Sequence, residues 1–402
     1  MAENVGMEER RQSGSGGAEA VLDLQPGCSV PVSYHPLFGP HEDLFLLELD
    51  GKLLPDFFHH SVTLRGLPDE DAVLCTKSKT YAVKFVGTSN SVFLIPPSDC
   101  SGFHGDLQDP VAKENSKPHV SIIKAAPGNM ELVEVAPRLE KLKRLLLENP
   151  YRACEASVMD EPEHNEERGK GLYTWNNLVN LVQASDDELL SGLHTLSAVE
   201  IDGYWRIVDE NYMDMILRML LHNSVLNDWS LDALDEEDVV TVLVSDEFPH
   251  KLALHCLHIY GTKVNDGTGK SLWKLEPRRV CLHFARKVLG DEKMRLENFM
   301  QEWRQKIPEG MEANFEMLEG EVLTEKLGIE TRVYAFSVRS LPSTPAERFS
   351  SLFKHRPKWE WKELEPYIRD LNIPGLSLEG LLLKYTRRTQ PTADAEPVFS
   401  AR

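Results

Sequence analysis

The stretch Ser185–Asp209, SDDELLSGLHTLSAVEIDGYWRIVD, decides the fold of the larger, C-terminal part of the chain. Ser185 and Glu188 are three residues apart and form a capping box, which marks the N-terminus of a helix. Leucines at helical spacing follow, at positions 189, 190, 193 and 196. β-Branched and aromatic residues then flank Asp202-Gly203, a dipeptide that favours a hairpin turn with positive φ. The stretch therefore predicts a helix followed by a β-hairpin.

A second helix is predicted just before this one. Leu172–Gln183 (LYTWNNLVNLVQ) has the pattern of a short amphipathic helix. Helix, helix and hairpin in this order are typical of a winged helix, a fold that binds DNA or docks onto proteins and seldom carries catalytic residues. This part of the sequence thus indicates a binding module.

Composition excludes several classes of protein. The length of 402 residues allows for about two to four domains. No run of about 20 apolar residues predicts a membrane span, and the polar N-terminus lacks the apolar segment of a signal peptide. Six cysteines stand at no metal-ligand spacing, which favours reduced thiols in a cytosolic or nuclear protein. With a net charge of −20, any contact with DNA has to come from a local basic face.

The N-terminal part predicts a small β-structure. Residues 1–25 are polar and rich in Gly and Ser, and we expect a disordered tail. Residues 40–136 follow, with short strand patterns and a strong turn signal at Pro127-Gly128-Asn129, and a second turn is predicted at 88–90. This organisation predicts a small barrel or sandwich. The strand patterns cover residues 44–50, 61–66, 71–76, 79–86 and 91–96.

Two of these strands carry apolar residues on both faces. Four consecutive apolar residues, 44–47, open the first strand, and a sheet with one solvated face would not need them. We therefore expect another chain to cover an edge or a face of this domain. The predicted partner-binding residues are Phe45, Leu47, Leu49, Tyr81, Val83 and Phe85.

The remainder of the chain is predominantly helical in pattern. Residues 137–170 predict a basic helix and an acidic linker, and three winged helices are predicted after it, at 171–230, 235–340 and 341–402. The expected fold class is α+β, with a small β-barrel-type domain completed by partner chains and tandem winged helices after it.

Candidate chemistry is weak throughout the sequence. Gly269-Lys270-Ser271 resembles the end of a phosphate-binding loop, but Val264 stands where that motif needs its first glycine, and a flexible loop between helices is the better interpretation. The adjacent His59 and His60 have no acidic or cysteine cluster beside them. We predict no catalytic, cofactor-binding or metal-binding residue, and no enzyme activity.

Basic residues concentrate near the C-terminus. Between Ser340 and Gln390 there are nine Lys or Arg against six Asp or Glu, in a chain that is acidic elsewhere, and Trp359 and Trp361 lie among them. Phosphate contacts need such charge, and aromatic faces can stack on unpaired bases. The alternative is a solvated helix face with the tryptophans in the core. The predicted DNA-binding residues are Lys354, Arg356, Lys358, Lys384, Arg387 and Arg388.

Several segments together resemble one family. They extend over about residues 40–390, and the resemblance depends on their order and spacing more than on any single motif. The chain resembles the sister chromatid cohesion subunits of the alternative, replication-factor-C-like clamp loader. The matching segments include FLLELD (45–50), AVLCTKSKTYAVK (72–84), TSNSVFLIP (88–96), PRLEKLKRLLLENPY (137–151), IPEGM (307–311), ERFSSLF (347–353) and LLLKYTR (381–387).

The resemblance implies a set of partners. In this family the N-terminal strands build a composite barrel with a small subunit and the C-terminal tail of the loader's large ATPase subunit, and winged helices form the rest. The assembly opens and closes the sliding clamp PCNA on single- and double-stranded DNA in the nucleus and associates with DNA polymerase epsilon. The subunit has no ATPase activity of its own. Two alternatives stay open from the residues alone, a free-standing winged-helix DNA-binding regulator and an enzyme with an unrecognised site.

Overall fold

The computed structural model describes residues 31–95, 120–153, 171–264, 270–290, 292–390, 392 and 395–402. The predicted tail, residues 1–25, and the predicted acidic linker, residues 155–170, lie outside these residues. The described chain has mixed α+β structure with several small sheets, and its strands do not close into a barrel by themselves. Its described residues divide into two compact units, one within 31–49 and 84–131 and the other within 50–83 and 132–402.

The β-rich part contains six strands and one short helix. Strand β1 runs parallel to β5, and the other four form a sheet in the order β2–β3–β4–β6. The elements are β1 (Val32–Tyr34), α1 (Leu54–His59), β2 (Thr63–Arg65), β3 (Val73–Cys75), β4 (Thr80–Leu94), β5 (Val120–Ile122) and β6 (Lys124–Val135).

Two predicted turns are wrong, because β4 and β6 run unbroken through them. Pro127-Gly128-Asn129 lies inside β6, and residues 88–90 lie inside β4. A Cβ at Gly128 would lie 2.9 Å from the Cα atom of Gly87, so the glycine serves a close approach of two backbones. Strand pairing therefore overrides the local turn propensity.

The strand predicted at 44–50 is also wrong, apart from one bridge. Leu47 pairs with Met130 in parallel, with the Met130 N–H donating to the Leu46 carbonyl at 2.7 Å. Consecutive apolar residues with high β-propensity form a strand only where a neighbouring strand is available to pair with them. Among the described residues, that pairing is limited to this position.

The helical part repeats one order of elements four times. Each repeat has a helix, two or three further helices or helical turns, and a closing hairpin. Repeat 1 contains α2 (Leu139–Glu148), α3 (Trp175–Leu181), α4 (Asp186–Thr195), β7 (Ala198–Ile201) and β8 (Tyr204–Ile207). Repeat 2 contains α5 (Glu210–Leu226), β9 (Leu234–Asp235), α6 (Glu236–Ser245), α7 (His250–Tyr260), β10 (Gly261–Val264) and β11 (Leu272–Leu275).

The other two repeats follow the same order. Repeat 3 contains α8 (Pro277–Leu289), β12 (Met294–Arg295), α9 (Leu296–Lys306), a 3-10 turn (Phe315–Leu318), β13 (Val322–Leu327) and β14 (Glu330–Ala335). After a 3-10 turn (Val338–Ser340), repeat 4 contains α10 (Pro345–His355), β15 (Lys358–Glu360), α11 (Trp361–Leu364), a 3-10 turn (Glu365–Tyr367), α12 (Leu378–Tyr385), β16 (Thr386–Thr389) and β17 (Val398–Ala401).

The sheets of the repeats share one topology. In repeats 2, 3 and 4 the short first strand pairs with the last strand of the hairpin, giving the orders β10–β11–β9, β12–β14–β13 and β15–β17–β16. Repeat 1 has the hairpin β7–β8 alone, with Tyr173 bridging to Trp205 of β8 in the same place. The predicted range 235–340 thus spans most of repeat 2 and all of repeat 3, and the predicted range 171–230 begins after α2.

Local signals explain why these elements form where they do. The capping box at Ser185 and Glu188 is confirmed, with both reciprocal hydrogen bonds present. Asp202 and Gly203 have φ of 51° and 85° and join β7 to β8, as the dipeptide predicts. The predicted loop between two helices at Gly269-Lys270-Ser271 is wrong, because this motif lies in the connection between strands β10 and β11. Residues 265–269 themselves lie outside the described part of the chain.

Three hydrophobic cores hold the helical part together. One belongs to repeat 1 and another mainly to repeat 4, whereas repeats 2 and 3 share a single core. Trp303 of repeat 3 is fully buried in this shared core, and its indole N–H donates to the Cys281 carbonyl at 2.8 Å. Because they share one core, repeats 2 and 3 are expected to unfold together.

The contact between repeats 1 and 2 includes a histidine that should make stability depend on pH. His255 of α7 lies 2.9 Å from the Ser197 carbonyl, and burial lowers the pKa of His255 to about 4. The neutral form is therefore favoured in the folded protein. Above pH 6.5, the pKa of His255 in the unfolded chain, the imidazole is neutral in both states and costs the folded state nothing. As pH falls from 6.5 towards 4, the unfolded chain takes up a proton that the folded protein does not, and the free energy of unfolding decreases by up to about 3 kcal/mol.

Urea unfolding at pH 7.0 and at pH 4.5 measures this effect. We expect the wild-type protein to lose more stability between the two pH values than His255→Gln, which cannot titrate. An equal loss in both proteins would show that other groups cause the pH dependence.

Candidate interaction surfaces

The unit formed by residues 31–49 and 84–131 has little core and much exposed apolar surface. Its buried apolar residues among those described are Val120, Ile122 and Ala126. Eleven large apolar side chains in the same residues are exposed, far more than this small core could hold. They are Val32, Tyr34, Leu37, Phe38, Leu44, Phe45, Leu46, Phe85, Val86, Phe93 and Ile95. Such a density of exposed apolar groups is typical of an interaction surface.

The six predicted partner-binding residues fall into three groups by exposure. Phe45 and Phe85 are 71% and 57% exposed, as a residue in contact with another chain should be in the isolated protein. Leu47, Leu49 and Val83 are half-buried. Tyr81 is 7% exposed and pairs in register with Leu74, so its side chain already lies within the protein's own sheet.

Sequence reasoning missed part of this surface. Tyr34 is 72% exposed and forms a ring pair with Phe38, at a centroid distance of 4.4 Å. Phe93 and Ile95 extend the exposed apolar side of β4. Residues 92–95 are consecutively apolar, a pattern that could have indicated apolar side chains on both sides of the strand, but the turn predicted at 88–90 separated them from Phe85.

The first turn of α4 in repeat 1 is covered by the sheet that contains β2 and β4. Arg65 of β2 is buried, and its guanidinium donates to the Ala184 carbonyl and to the Asp186 carboxylate. The Thr80 hydroxyl donates to the Glu188 carboxylate at 2.6 Å. The acidic first turn of this helix is therefore closed to nucleic acid by both its charge and its contacts.

The corresponding helices of repeats 2 and 3 are also unsuited to enter a DNA groove. Helix α7 of repeat 2 contacts the hairpin of repeat 1, where Lys251 lies 3.3 Å from the Glu200 carbonyl and His255 contacts Ser197. In repeat 3 the corresponding element is the single 3-10 turn Phe315–Leu318, with Leu318 buried. In repeat 4 the corresponding helix, α12, presents Leu383, 75% exposed, and Lys384 to solvent.

Four of the six predicted DNA-binding residues lie on α12, β15 and β16 of repeat 4. Lys358 and Arg387 both stand opposite Ser400 of the central strand, so they share one face of the sheet about 10 Å apart. Lys384 and Arg388 are exposed, and Lys384 lies over the Tyr385 ring at 5.3 Å. We call these four exposed residues the basic face of repeat 4, although Arg388, which follows Arg387 and pairs with Phe399, projects from the opposite side of β16.

The other predicted DNA contacts differ from these. Lys354 is exposed at the end of α10. Arg356 instead forms an ion pair with Glu363 at 2.5 Å and donates to the Thr324 carbonyl at 3.0 Å, which connects repeat 4 to repeat 3. Trp359 is fully buried in the core of repeat 4. It is therefore a core residue, as the alternative interpretation predicted, and cannot stack on bases.

The described residues offer little support for a metal-binding or phosphate-binding site. Within them, no group of three or more His, Cys, Asp or Glu is placed to hold a metal ion. Lys270 of the phosphate-loop-like motif forms an ion pair with Asp235 at 3.1 Å. No helix in the described ranges is long and apolar enough to cross a membrane.

The fold and these surfaces define an α+β protein with an uncovered apolar N-terminal surface and helix–hairpin repeats. The family model for sister chromatid cohesion protein Dcc1 matches residues 44–368 of the chain. The sister chromatid cohesion protein DCC1 of Homo sapiens is 34% identical over 86% of this chain and 85% of its own length. The proteins of the same name from Danio rerio and Saccharomyces cerevisiae are 33% and 22% identical, over 91% and 82% of this chain and 90% and 88% of theirs. The chain belongs to the Dcc1 family of sister chromatid cohesion proteins.

Proposed function

We propose that this chain is a non-catalytic, nuclear accessory subunit of an alternative, replication-factor-C-like clamp loader. It helps to load or unload the sliding clamp PCNA at replication forks, supports sister chromatid cohesion and couples the loader to DNA polymerase epsilon. The single observation that carries the proposal is the apolar surface of residues 31–49 and 84–131. Membership in a family of cohesion proteins supports the biological setting.

The apolar surface is the place for the loader's other subunits. Eleven exposed large apolar side chains beside three buried ones are unfavourable in water and are stabilised when another chain covers them. Strand β6 stands last in its sheet, and its outer backbone groups, apart from those of Met130, which pair with Leu46 and Glu48, offer an edge for further strands. We infer that a small subunit and the tail of the large ATPase subunit add strands here and complete a barrel.

The four repeats act as winged helices in this proposal. Their element order and the pairing of the short strand with the last strand support that assignment. In repeats 1 and 2 the helices α4 and α7 are covered by contacts within this chain and do not face DNA, which favours a role in protein docking for these repeats. The basic face of repeat 4 is free of such cover and contacts DNA phosphates, which fix position without reading sequence.

The protein contributes no ATP hydrolysis of its own in this scheme. A phosphate-binding loop follows a buried strand and opens a helix, whereas residues 265–271 lie between the two strands of a hairpin. Lys270, which would have to reach the phosphates, is paired with Asp235. The energy of nucleotide hydrolysis then comes from the ATPase subunits.

A reconstituted clamp-loading reaction tests the proposal. Clamp loader assembled with and without this chain is given PCNA, ATP and primed DNA, and the DNA-bound clamp is quantified. We expect omission of the chain to change the amount of DNA-bound clamp, and the isolated chain to hydrolyse no ATP. Unchanged clamp levels, together with sequence-specific duplex binding by the isolated chain, would instead support a free-standing DNA-binding regulator.

A further inference from the structure

A groove lies between repeat 1 and the helices of repeats 2 and 3. It runs along hairpin β7–β8 on one side and helices α7 and α8 on the other, with a volume of about 640 Å³. This volume is in the range of specific ligand sites. A smaller pocket of about 180 Å³ adjoins it and shares Arg286 and Arg339 with it. Its apolar lining includes Val199, Trp205, Leu254, Ile259 and Leu282.

The groove is basic although the chain is acidic. Four cations line the 640 Å³ groove: Lys251, Arg279, Arg286 and Arg339. Among the described residues, Glu200 is the one carboxylate in its lining. A net charge of −20 makes such a concentration of cations unusual for this chain. By contrast, another pocket of this molecule is lined by the four acidic residues 235–238.

Arg279 and Arg286 already have hydrogen-bond or ion-pair partners within the chain, whereas the guanidinium of Arg339 has none among the described residues. Arg286 forms an ion pair with Glu321 at 2.5 Å, and Arg279 donates to three carbonyls at the end of α7, the shortest contact being 3.1 Å to Gly261. The guanidinium of Arg339 has no hydrogen bond or ion pair to any residue that the structure describes. Arg339 is exposed to solvent, and the surrounding protein atoms and the nearby Arg286 lower its pKa, against the opposing effect of the Glu321 and Glu210 carboxylates.

An unpaired, partly desolvated guanidinium in a concave site is suited to bind an anion. A carboxylate would accept two hydrogen bonds from its planar fork, and such charge-assisted pairs are stronger where water is displaced. The apolar wall gives room for an apolar side chain beside that carboxylate. Mixed apolar and acidic character is typical of a peptide.

We propose that this groove is a docking site for an acidic peptide segment of a partner protein, with an aromatic or apolar side chain next to Asp or Glu. Duplex DNA fits less well, because proteins read it by inserting a convex element into its groove. Single-stranded DNA is held by successive aromatic faces, and a single tryptophan, Trp205, lines this groove. The proposal is independent of the clamp-loader assignment.

The test uses the full chain and a fluorescein-labelled synthetic peptide that alternates Asp or Glu with Phe. Fluorescence anisotropy measures its affinity for wild type, for Lys251→Gln/Arg339→Gln and for the control Lys52→Gln/Lys326→Gln. The control removes the same charge from exposed lysines outside the groove. We expect the groove variant to bind at least about tenfold more weakly, as the loss of charge-assisted hydrogen bonds predicts, and the control to bind within about twofold of wild type.

Three results would overturn the proposal. The first is the absence of peptide binding by wild type, and the second is equal binding by the groove and control variants. The third is a groove variant that keeps peptide binding but loses binding of a labelled oligothymidine, which would assign the groove to nucleic acid. Arg339 has no described side-chain partner, and the contact of Lys251 with the Glu200 carbonyl is exposed, so the variant is expected to fold; its thermal unfolding curve verifies this.

Discussion

Replacing Arg65 with Met should destabilise the protein by about 2 to 3 kcal/mol, the range for losing charge-assisted hydrogen bonds made from a buried position. The side chain of Arg65 is 6% exposed, whereas that of its partner Asp186 is 49% exposed. Without the guanidinium, the Ala184 carbonyl loses its donor and the buried position loses its charge-assisted hydrogen bonds. The sheet containing β2 should then separate from α4 more readily.

Urea unfolding of Arg65→Met, compared with Lys79→Met, measures this effect. Lys79 pairs with Glu134 at 2.8 Å, and both side chains of that pair are exposed to solvent. Exposed ion pairs contribute little, so the control should stay close to wild type. A loss of stability that is the same in both variants would contradict a special role for the buried arginine.

Reversing the charge of Lys384, Arg387 and Arg388 to Glu should abolish most of the DNA binding of the isolated chain. If all three contact phosphates, the slope of log affinity against log salt should flatten by about 0.7 to 0.9 for each contact. Folding should survive, since all three residues are exposed and Leu381, the buried residue of α12, is unchanged.

The matched control reverses three exposed cations elsewhere, Lys52, Arg304 and Lys326. Titrations of unrelated duplex and single-stranded sequences at several salt concentrations compare the two variants. If both lose the same affinity, net charge alone is responsible and the basic face of repeat 4 is an ordinary solvated surface. Affinity lost for one sequence and kept for the others would favour a free-standing regulator.

The helical half was predictable to the extent that its signals are local. Ser185 and Glu188 fix a helix start within four residues, and Asp202-Gly203 fixes a hairpin by its backbone preference alone. The number of repeats was harder to predict. Repeat 3 has a single 3-10 turn, Phe315–Leu318, where the other repeats have a longer helix, and so its sequence shows no third helical period.

The β-rich half was less predictable because its structure depends on distant partners. Gly128 looks like a turn residue until the backbone of Gly87 is placed against it. Arg65 and Asp186 are 121 positions apart, and no local pattern relates them. In the candidate site, alternation placed Tyr81 and Phe85 on one side of a strand, but their exposures of 7% and 57% depend on what surrounds each of them.

We propose that the described residues within 31–49 and 84–131 bind the other subunits of a clamp loader. Affinity purification of the tagged full chain from a nuclear extract, with identification of the co-purifying proteins, tests it most directly. A double variant, Phe45→Glu/Phe85→Glu, is compared with Val225→Glu/Ile329→Glu, which changes two exposed apolar residues of the helical repeats. We predict that wild type and the control retain the small subunit and the large ATPase subunit, and that Phe45→Glu/Phe85→Glu loses both. Recovery of both subunits with Phe45→Glu/Phe85→Glu, or of neither with wild type, would contradict the account.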